Sequence, residues 1–276
     1  MQQDPQFETV WATGTPRSRG ADLPSLTVLR KGVGRPVFWV HWATGNVRFV
    51  SGLLGAAVTR PVYGFEPRGL RRRDLPLLSV GDMADRYLAE LRAAQPEGPY
   101  TLVGACSGGP TAYEMAHRLA ADGDVIESLT VVNSFRPGTR EFGAGLGPAD
   151  LYDMRLGWLR RLLGAERLLG AEHRAMRRLR DVHQVDLDAD EADFFWYQVL
   201  WAANAFAQEN YDPPPYRGPI TLCQLRRHAH RPELSWRDIA PGSETVLFEA
   251  DASVSVIGDP RFWARLQTQP VTGVPG

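Results

Sequence analysis

Lysine is nearly missing from this 276-residue chain: Lys31 stands alone among 31 basic residues, and arginine supplies the rest. We read that as a compositional bias of the genome, not a functional signal. Long uncharged apolar runs are also missing, so no membrane span is expected. The opening stretch MQQDPQFETVW has no basic segment followed by an apolar one, so no secretory signal is expected either. There are only two cysteines, Cys106 and Cys223, far apart and in different contexts, with no CxxC. That excludes a disulfide framework and points to free thiols in a reducing, cytoplasmic setting. Neither HExxH nor a paired Cys/His cluster occurs, so no metal is expected; without GxGxxG or a P-loop, no nucleotide is implied. The net charge of -1 offers nothing to a nucleic acid or a membrane surface.

What is present is a 43% hydrophobic composition, enough for one large α/β domain or one carrying an inserted lid. Residues 1–24 are polar, with proline, glycine and arginine, and read as an N-terminal arm. Apolar strand-like runs then alternate with amphipathic helical patterns. The strand runs are PVFWVHW (36–42), PVYGFEP (61–67), YTLVGAC (100–106), SLTVVNSF (128–135), PITLCQL (219–225) and TVLFEAD (245–251). Helices are expected from about Val47 to Val58, from Val80 to Gln95 on the face of Met83, Tyr87, Leu88 and Leu91, and after the third strand run up to Gly123. Such alternation predicts a mainly parallel sheet with helices on both faces. It divides the chain into a core of 25–135 and 217–270 and a helical lid of 136–216, with helices near 148–180 and 191–210. The first lid segment carries Arg155, Arg160, Arg161, Arg167, Arg174, Arg177, Arg178 and Arg180. They read either as a solvated face or as a docking face for an acidic or phosphate-bearing partner, the solvated face being the simpler reading.

The chemistry concentrates at Gly104-Ala105-Cys106-Ser107-Gly108-Gly109, between a strong strand and a strong helix. This is a G-x-S-x-G nucleophile-elbow context with cysteine at its centre. A nucleophile on a strained turn needs small neighbours, and the following helix aims its amides and partial positive charge at the side chain, favouring thiolate. A buried structural cysteine, or Ser107 as nucleophile, would explain the glycine frame less well, since the glycines are centred on position 106. Cys223, inside ITLCQL, reads as core.

With these segments in view, the sequence resembles the thioesterase domains and stand-alone thioesterases of nonribosomal peptide and polyketide assembly lines, from about Leu26 to about Leu266. LTVLRKGVGRPVFWVHWATG, PVYGFEPRGL, QPEGPYTLVGACSGG and ANAFAQENYDPPPYRGPITL carry the resemblance in order and spacing. It implies an α/β-hydrolase fold and a triad of nucleophile, acid and histidine. Cys106 matches the nucleophile. The acid position falls on Asn133, 27 residues later, in Val131-Val132-Asn133-Ser134; a thiol needs less help from a carboxylate, and an asparagine can still orient an imidazole through its carbonyl. The histidine position falls on Ala252, in Glu249-Ala250-Asp251-Ala252-Ser253-Val254. An engineered His-to-Ala change, natural divergence to a silent protein, and service by His228 or His230 after the strand PITLCQL all remain open. His117, His173 and His183 read as solvated positions. For the oxyanion hole, the elbow predicts the amide of Ser107, and the resemblance adds that of Ala43, in His41-Trp42-Ala43-Thr44-Gly45. His41 there matches a loop position and is not the base, while Trp42 replaces a usual proline.

The resemblance further implies covalent acyl transfer. Cys106 would take an aminoacyl, peptidyl or polyketide chain from the phosphopantetheine thiol of an acyl or peptidyl carrier protein, with no bound cofactor. The acyl group would pass to water, to an internal nucleophile, or to another carrier. A cysteine thioester is nearly isoenergetic with the incoming thioester, which suits exchange or ring closure. The opening methionine with no carrier segment ahead of it reads as a free-standing protein. The opposing expectation is a catalytically silent carrier-binding accessory protein, favoured by Ala252.

Overall fold

The computed structural model describes residues 24–139, 142, 145–163 and 194–267. The expected arm lies outside the described residues except for Pro24, as do His173, His183 and the arginines from 167 to 180.

Seven strands form one sheet in the order β1-β3-β2-β4-β5-β6-β7. They are β1 (Leu26–Arg30), β2 (Val37–Val40), β3 (Val62–Phe65), β4 (Tyr100–Ala105), β5 (Ile126–Val132), β6 (Ile220–Leu225) and β7 (Glu244–Phe248). All neighbouring pairs are parallel except β1 with β3, an antiparallel edge. The mainly parallel sheet anticipated from the alternation is therefore present, with helices over both faces. β1 is the strand that the pattern of apolar runs does not set apart.

The alternation of side chains along each strand builds two cores. Phe38 and Val40 of β2 face one side with Leu102, Leu129 and Val131, under helices α2 (Val80–Ala94) and α3 (Gly108–Ala121). Val37 and Trp39 face the other with Val103, Val132 and Phe248, under α1 (Val50–Leu53), α6 (Ser253–Gly258) and α7 (Pro260–Gln267). Helix α2 begins where Ser79 Oγ accepts the amide of Asp82 at 3.0 Å, and it buries Met83, Ala84, Tyr87 and Leu91. The helix expected over Val47–Val58 is a single turn, Val50–Leu53. Gly52 and Gly55 weaken any longer helix, and Leu54 has already turned to extended backbone.

Between β5 and β6 the described elements are α4 (Pro148–Leu163) and α5 (Phe194–Glu209). They pack on each other around Leu151, Leu156, Leu159, Phe194 and Leu200 as a third apolar cluster. This insertion is tied to the carboxyl rim of the sheet at two points. Trp196 Nε1 donates to the carbonyl of Gly69 at 2.7 Å, and Asn204 Nδ2 donates to the carbonyl of Ala43 at 2.7 Å.

Candidate active site

The register of the two central strands sets the site. Ala105 pairs with Val132, so the next residues, Cys106 and Asn133, leave the sheet side by side at its carboxyl edge. Both sit in the left-handed region, with φ of 52° and 48°. Such backbone is strained for residues carrying a Cβ and is held here by its surroundings. The Cys106 amide donates to the Val132 carbonyl at 3.0 Å, and the Cys106 carbonyl accepts from Gly109 at 3.1 Å. The glycine frame is steric: a Cβ on Gly104 would meet the Gly108 carbonyl oxygen at 2.5 Å, and one on Gly108 would meet the His41 carbonyl oxygen at 2.2 Å. The turn thus wedges into the loop after β2. Cys106 is half-buried, whereas Cys223 on β6 is buried and its thiol is pushed up to about 12 by desolvation. Ser107 turns its Oγ inward, to a place where it has no hydrogen-bond partner among the described residues, which argues against it as the nucleophile.

Asn133 is engaged on both sides of its amide. Its Nδ2 donates to Ser253 Oγ at 2.8 Å, and its Oδ1 accepts from the amide of Leu225 at 3.3 Å. Ser253 directly follows Ala252, which caps the start of α6. The loop carrying Ala252 is therefore brought to Asn133. His228 lies instead in a 3₁₀ turn after β6, where its Nε2 receives Arg227 Nε at 3.3 Å. Desolvation first, then the charges of Arg227, Arg231 and His230, lower its proton affinity. His230 is exposed on the same turn. Ala252, not either histidine, is the position whose neighbour contacts Asn133.

On the opposite side, Ala43 occupies a turn closed by the amide of Gly45 donating to the Trp42 carbonyl at 2.8 Å. Among the described residues, the amides of Ala43 and Ser107 donate to no backbone carbonyl. Two such donors are what an oxyanion requires. His41 is fully buried; its Nδ1 lies 2.8 Å from the Trp42 carbonyl and its Nε2 2.9 Å from the Tyr87 hydroxyl. Desolvation lowers it to about 4, so it is neutral and structural, in keeping with its exclusion as the base. Trp42 stacks on Phe49 at 4.3 Å between ring centroids, alongside Cys106 in the same apolar cluster.

One residue here corrects the sequence reading. Arg155, grouped with the solvated arginines, is only 7% exposed. It lies on the stripe of α4 that buries Leu151, Tyr152, Leu156 and Leu159. Its Nε donates to Gln198 Oε1 at 3.1 Å, and its guanidinium sits over the rings of Trp158 at 4.7 Å and Trp201 at 5.0 Å. The signal was available: position 155 falls four residues after Leu151 and four before Leu159. Asn204 and Ser253 were also overlooked, because only the tertiary fold gives them partners.

A doubly covered, mainly parallel sheet with a cysteine on a left-handed strand–helix turn defines an α/β-hydrolase fold with a nucleophile elbow. The chain belongs to the thioesterase-domain family, whose sequence profile matches residues 35–254. It is 34% identical over 136 residues to the polyketide synthase PksR of Bacillus subtilis, a match spanning 49% of this chain and 5% of that protein. It is 35% identical over 129 residues to indigoidine synthase of Dickeya dadantii, spanning 45% and 8%. The chain thus matches only a small part of these much longer relatives. Its fold is similar to a four-domain nonribosomal peptide synthetase bound to AMP and glycine (TM-score 0.68, 22% identity, 91% of this chain and 20% of that one). It is also similar to YbtT, a type II thioesterase of the yersiniabactin pathway (TM-score 0.64, 17% identity, 88% and 96%). Among the described residues no helix is long and apolar enough to cross a membrane.

Proposed function

We infer that the protein is an acyl-transfer enzyme of the thioesterase type. It takes aminoacyl, peptidyl or polyketide groups from phosphopantetheine thiols of carrier proteins onto Cys106. The observation that carries this reading is the left-handed Cys106 at the start of α3, next to Asn133, in a thioesterase-family chain. Attack by sulfur on a thioester carbonyl generates an oxyanion, for which the amides of Ala43 and Ser107 are the donors. The acyl-cysteine is then released by water, by ring closure or to another carrier. The names of the relatives, a polyketide synthase and nonribosomal peptide synthetases among them, support a carrier protein as partner.

A second reading keeps the fold as a silent carrier-binding protein. Ala252 favours it, together with the commitment of Asn133 to Ser253. One experiment separates the two. The protein is incubated with N-acetylcysteamine thioesters of aminoacyl and β-ketoacyl groups and weighed intact. A mass increase of one acyl group, absent in Cys106→Ala, supports the enzyme. A folded protein that no thioester labels is the binder.

A further inference from the structure

We propose that the arginine-rich loop after β3 is an anion site that seats the phosphate of a phosphopantetheine arm while the arm's thioester reaches Cys106. The inference rests on the proposed function and gives its substrate a second point of attachment.

The loop leaves the end of β3 as Glu66-Pro67-Arg68-Gly69-Leu70-Arg71-Arg72-Arg73-Asp74. With Arg48, which joins it through Glu66, it gathers five arginines against two carboxylates. Glu66 is 2% exposed; its Oε1 accepts Arg48 Nε at 2.7 Å and its Oε2 accepts Arg71 Nε. One buried carboxylate thus holds two guanidinium groups that are themselves half exposed. A depression of about 310 Å³, open to solvent, lies between Ser25, Glu66, Arg68, Arg71, Arg72 and Asp74. The charges beyond Ser25 cancel. Arg86 donates from Nε to Ser25 Oγ at 2.7 Å and lies 3.7 Å from Glu90, which accepts the amides of Ser25 and Leu26 at 2.9 Å and 2.6 Å. Arginine presents a fork of donors that matches phosphate, and an excess of cations around a concave surface concentrates anions there.

The loop is held in one shape. Gly69 has a φ of 93°, its carbonyl accepts the Arg73 amide at 3.0 Å, and a Cβ there would meet the Asp74 carbonyl oxygen at 2.3 Å. It is also built against the candidate active site. A Cβ on Gly45 would meet Pro67 at 2.6 Å and Leu70 at 3.4 Å, so the turn that presents the Ala43 amide packs directly on the arginine loop. Helix α5 spans the two. Its Trp196 donates to Gly69, and Asn204, eight residues on, donates to Ala43. Eight residues of helix rise about 12 Å. In the sheet β3, β2 and β4 are consecutive, so Cys106 leaves the same rim about 10 Å from the end of β3. An extended phosphopantetheine arm spans such distances, and a phosphate fixed at one end makes attack at the other effectively intramolecular.

The test offers one acyl group as its thioester with pantetheine, with 4′-phosphopantetheine and with coenzyme A, and follows acylation of Cys106 by intact mass. The first two arms differ by the phosphate alone. At low ionic strength the second-order rate constant should be about tenfold higher with the phosphate, the scale of a charge-assisted contact. That ratio should fall to about one in Arg72→Gln and in the double variant Arg68→Gln, Arg72→Gln, each checked for folding by circular dichroism. Arg35→Gln, an exposed position at the amino end of β2, is the control and should keep the ratio. Equal constants for the two arms in wild type overturn the proposal, as does a ratio that survives in the folded double variant. A coenzyme A thioester about tenfold faster than the phosphopantetheine one overturns the carrier arm as the source of the phosphate. The proposed function can fail separately. If no thioester acylates Cys106, calorimetry with the free thiols decides. About tenfold tighter binding of phosphopantetheine than of pantetheine, lost in Arg72→Gln, keeps the anion site in a silent carrier-binding protein. Equal binding of the two thiols removes it.

Discussion

Asn133 donates from Nδ2 to Ser253 Oγ at 2.8 Å, joining the end of β5 to the residue immediately after Ala252. The hydrogen bond fixes the loop after β7 against the edge of the sheet where Cys106 emerges. Asn133 and Ala252, the two positions that the family resemblance offers for an acid and a base, are thereby held near each other, one an amide and the other a methyl.

Restoring an imidazole at that point should restore a base. Ala252→His is expected to speed discharge of the acyl-enzyme to water by about 10²-fold, the usual scale of positioned general-base catalysis. Adding Asn133→Asp should raise it further, because a carboxylate stabilises the imidazolium that an amide only orients. Free acid released from an N-acetylcysteamine thioester measures both. A folded Ala252→His protein that hydrolyses no faster than wild type would show that residue 252 does not address Cys106.

The elbow can be probed through its glycines. Gly108→Ala drives a Cβ to 2.2 Å from the His41 carbonyl oxygen, a backbone atom that cannot yield without moving β2. We expect a loss of more than about 3 kcal/mol in urea unfolding, the range of severe overpacking. Gly52→Ala is the control: its Cβ meets nothing within 4 Å on helix α1, and a gain of about 0.5 kcal/mol is expected from helix propensity. Equal effects at the two sites would contradict the tight wedge of the elbow.

How far the sequence foretold this arrangement depends on where the determining forces lie. The strands were legible because buried parallel strands are continuous apolar runs, and the elbow was legible because only glycine fits around it. The position of Cys106 followed, since it ends such a run, whereas Asn133 was reached only through the family resemblance. The helix over Val47–Val58 was overextended because apolar periodicity outweighed Gly52 and Gly55, which end it after one turn. Arg155 was misread for the opposite reason. Its neighbours in sequence include many arginines, and the composition of the segment hid an apolar stripe that runs through position 155. Asn204 and Ser253 carry no sequence signal, because their partners lie 161 and 120 residues away.

His41 gives the fold an acid sensitivity of predictable sign. Its folded value of about 4 lies below the ordinary 6.5 because burial disfavours the charged ring. Above pH 6.5 both folded and unfolded states carry it neutral, and it has no effect on stability. Below pH 6.5 only the unfolded chain takes the proton, so stability falls as pH drops toward 4 and levels off beneath it. Between pH 7 and pH 5 the loss should be about 2 kcal/mol from this residue. Urea unfolding of wild type and His41→Gln at the two pH values isolates it: the glutamine variant should lack that part of the slope. An unchanged slope would mean that His41 does not remain neutral in the folded protein.

Asn204 links the helical insertion to the proposed oxyanion loop, and its removal should separate acyl chemistry from simple thiol reactivity. Its Nδ2 holds the Ala43 carbonyl at 2.7 Å, so Asn204→Ala frees the turn that presents the Ala43 amide. Attack on a thioester builds negative charge on oxygen and needs that amide aimed; alkylation by iodoacetamide displaces iodide at a saturated carbon and builds none. Acylation of Cys106 is therefore expected to slow about tenfold, a partial loss of one donor's usual contribution. The alkylation rate should stay within about twofold, and stability should fall by about 1 kcal/mol for one hydrogen bond. Stopped-flow thiol release and iodoacetamide kinetics on the same protein supply the comparison. Equal slowing of both reactions would mean that Asn204 supports the nucleophile and not the loop facing it.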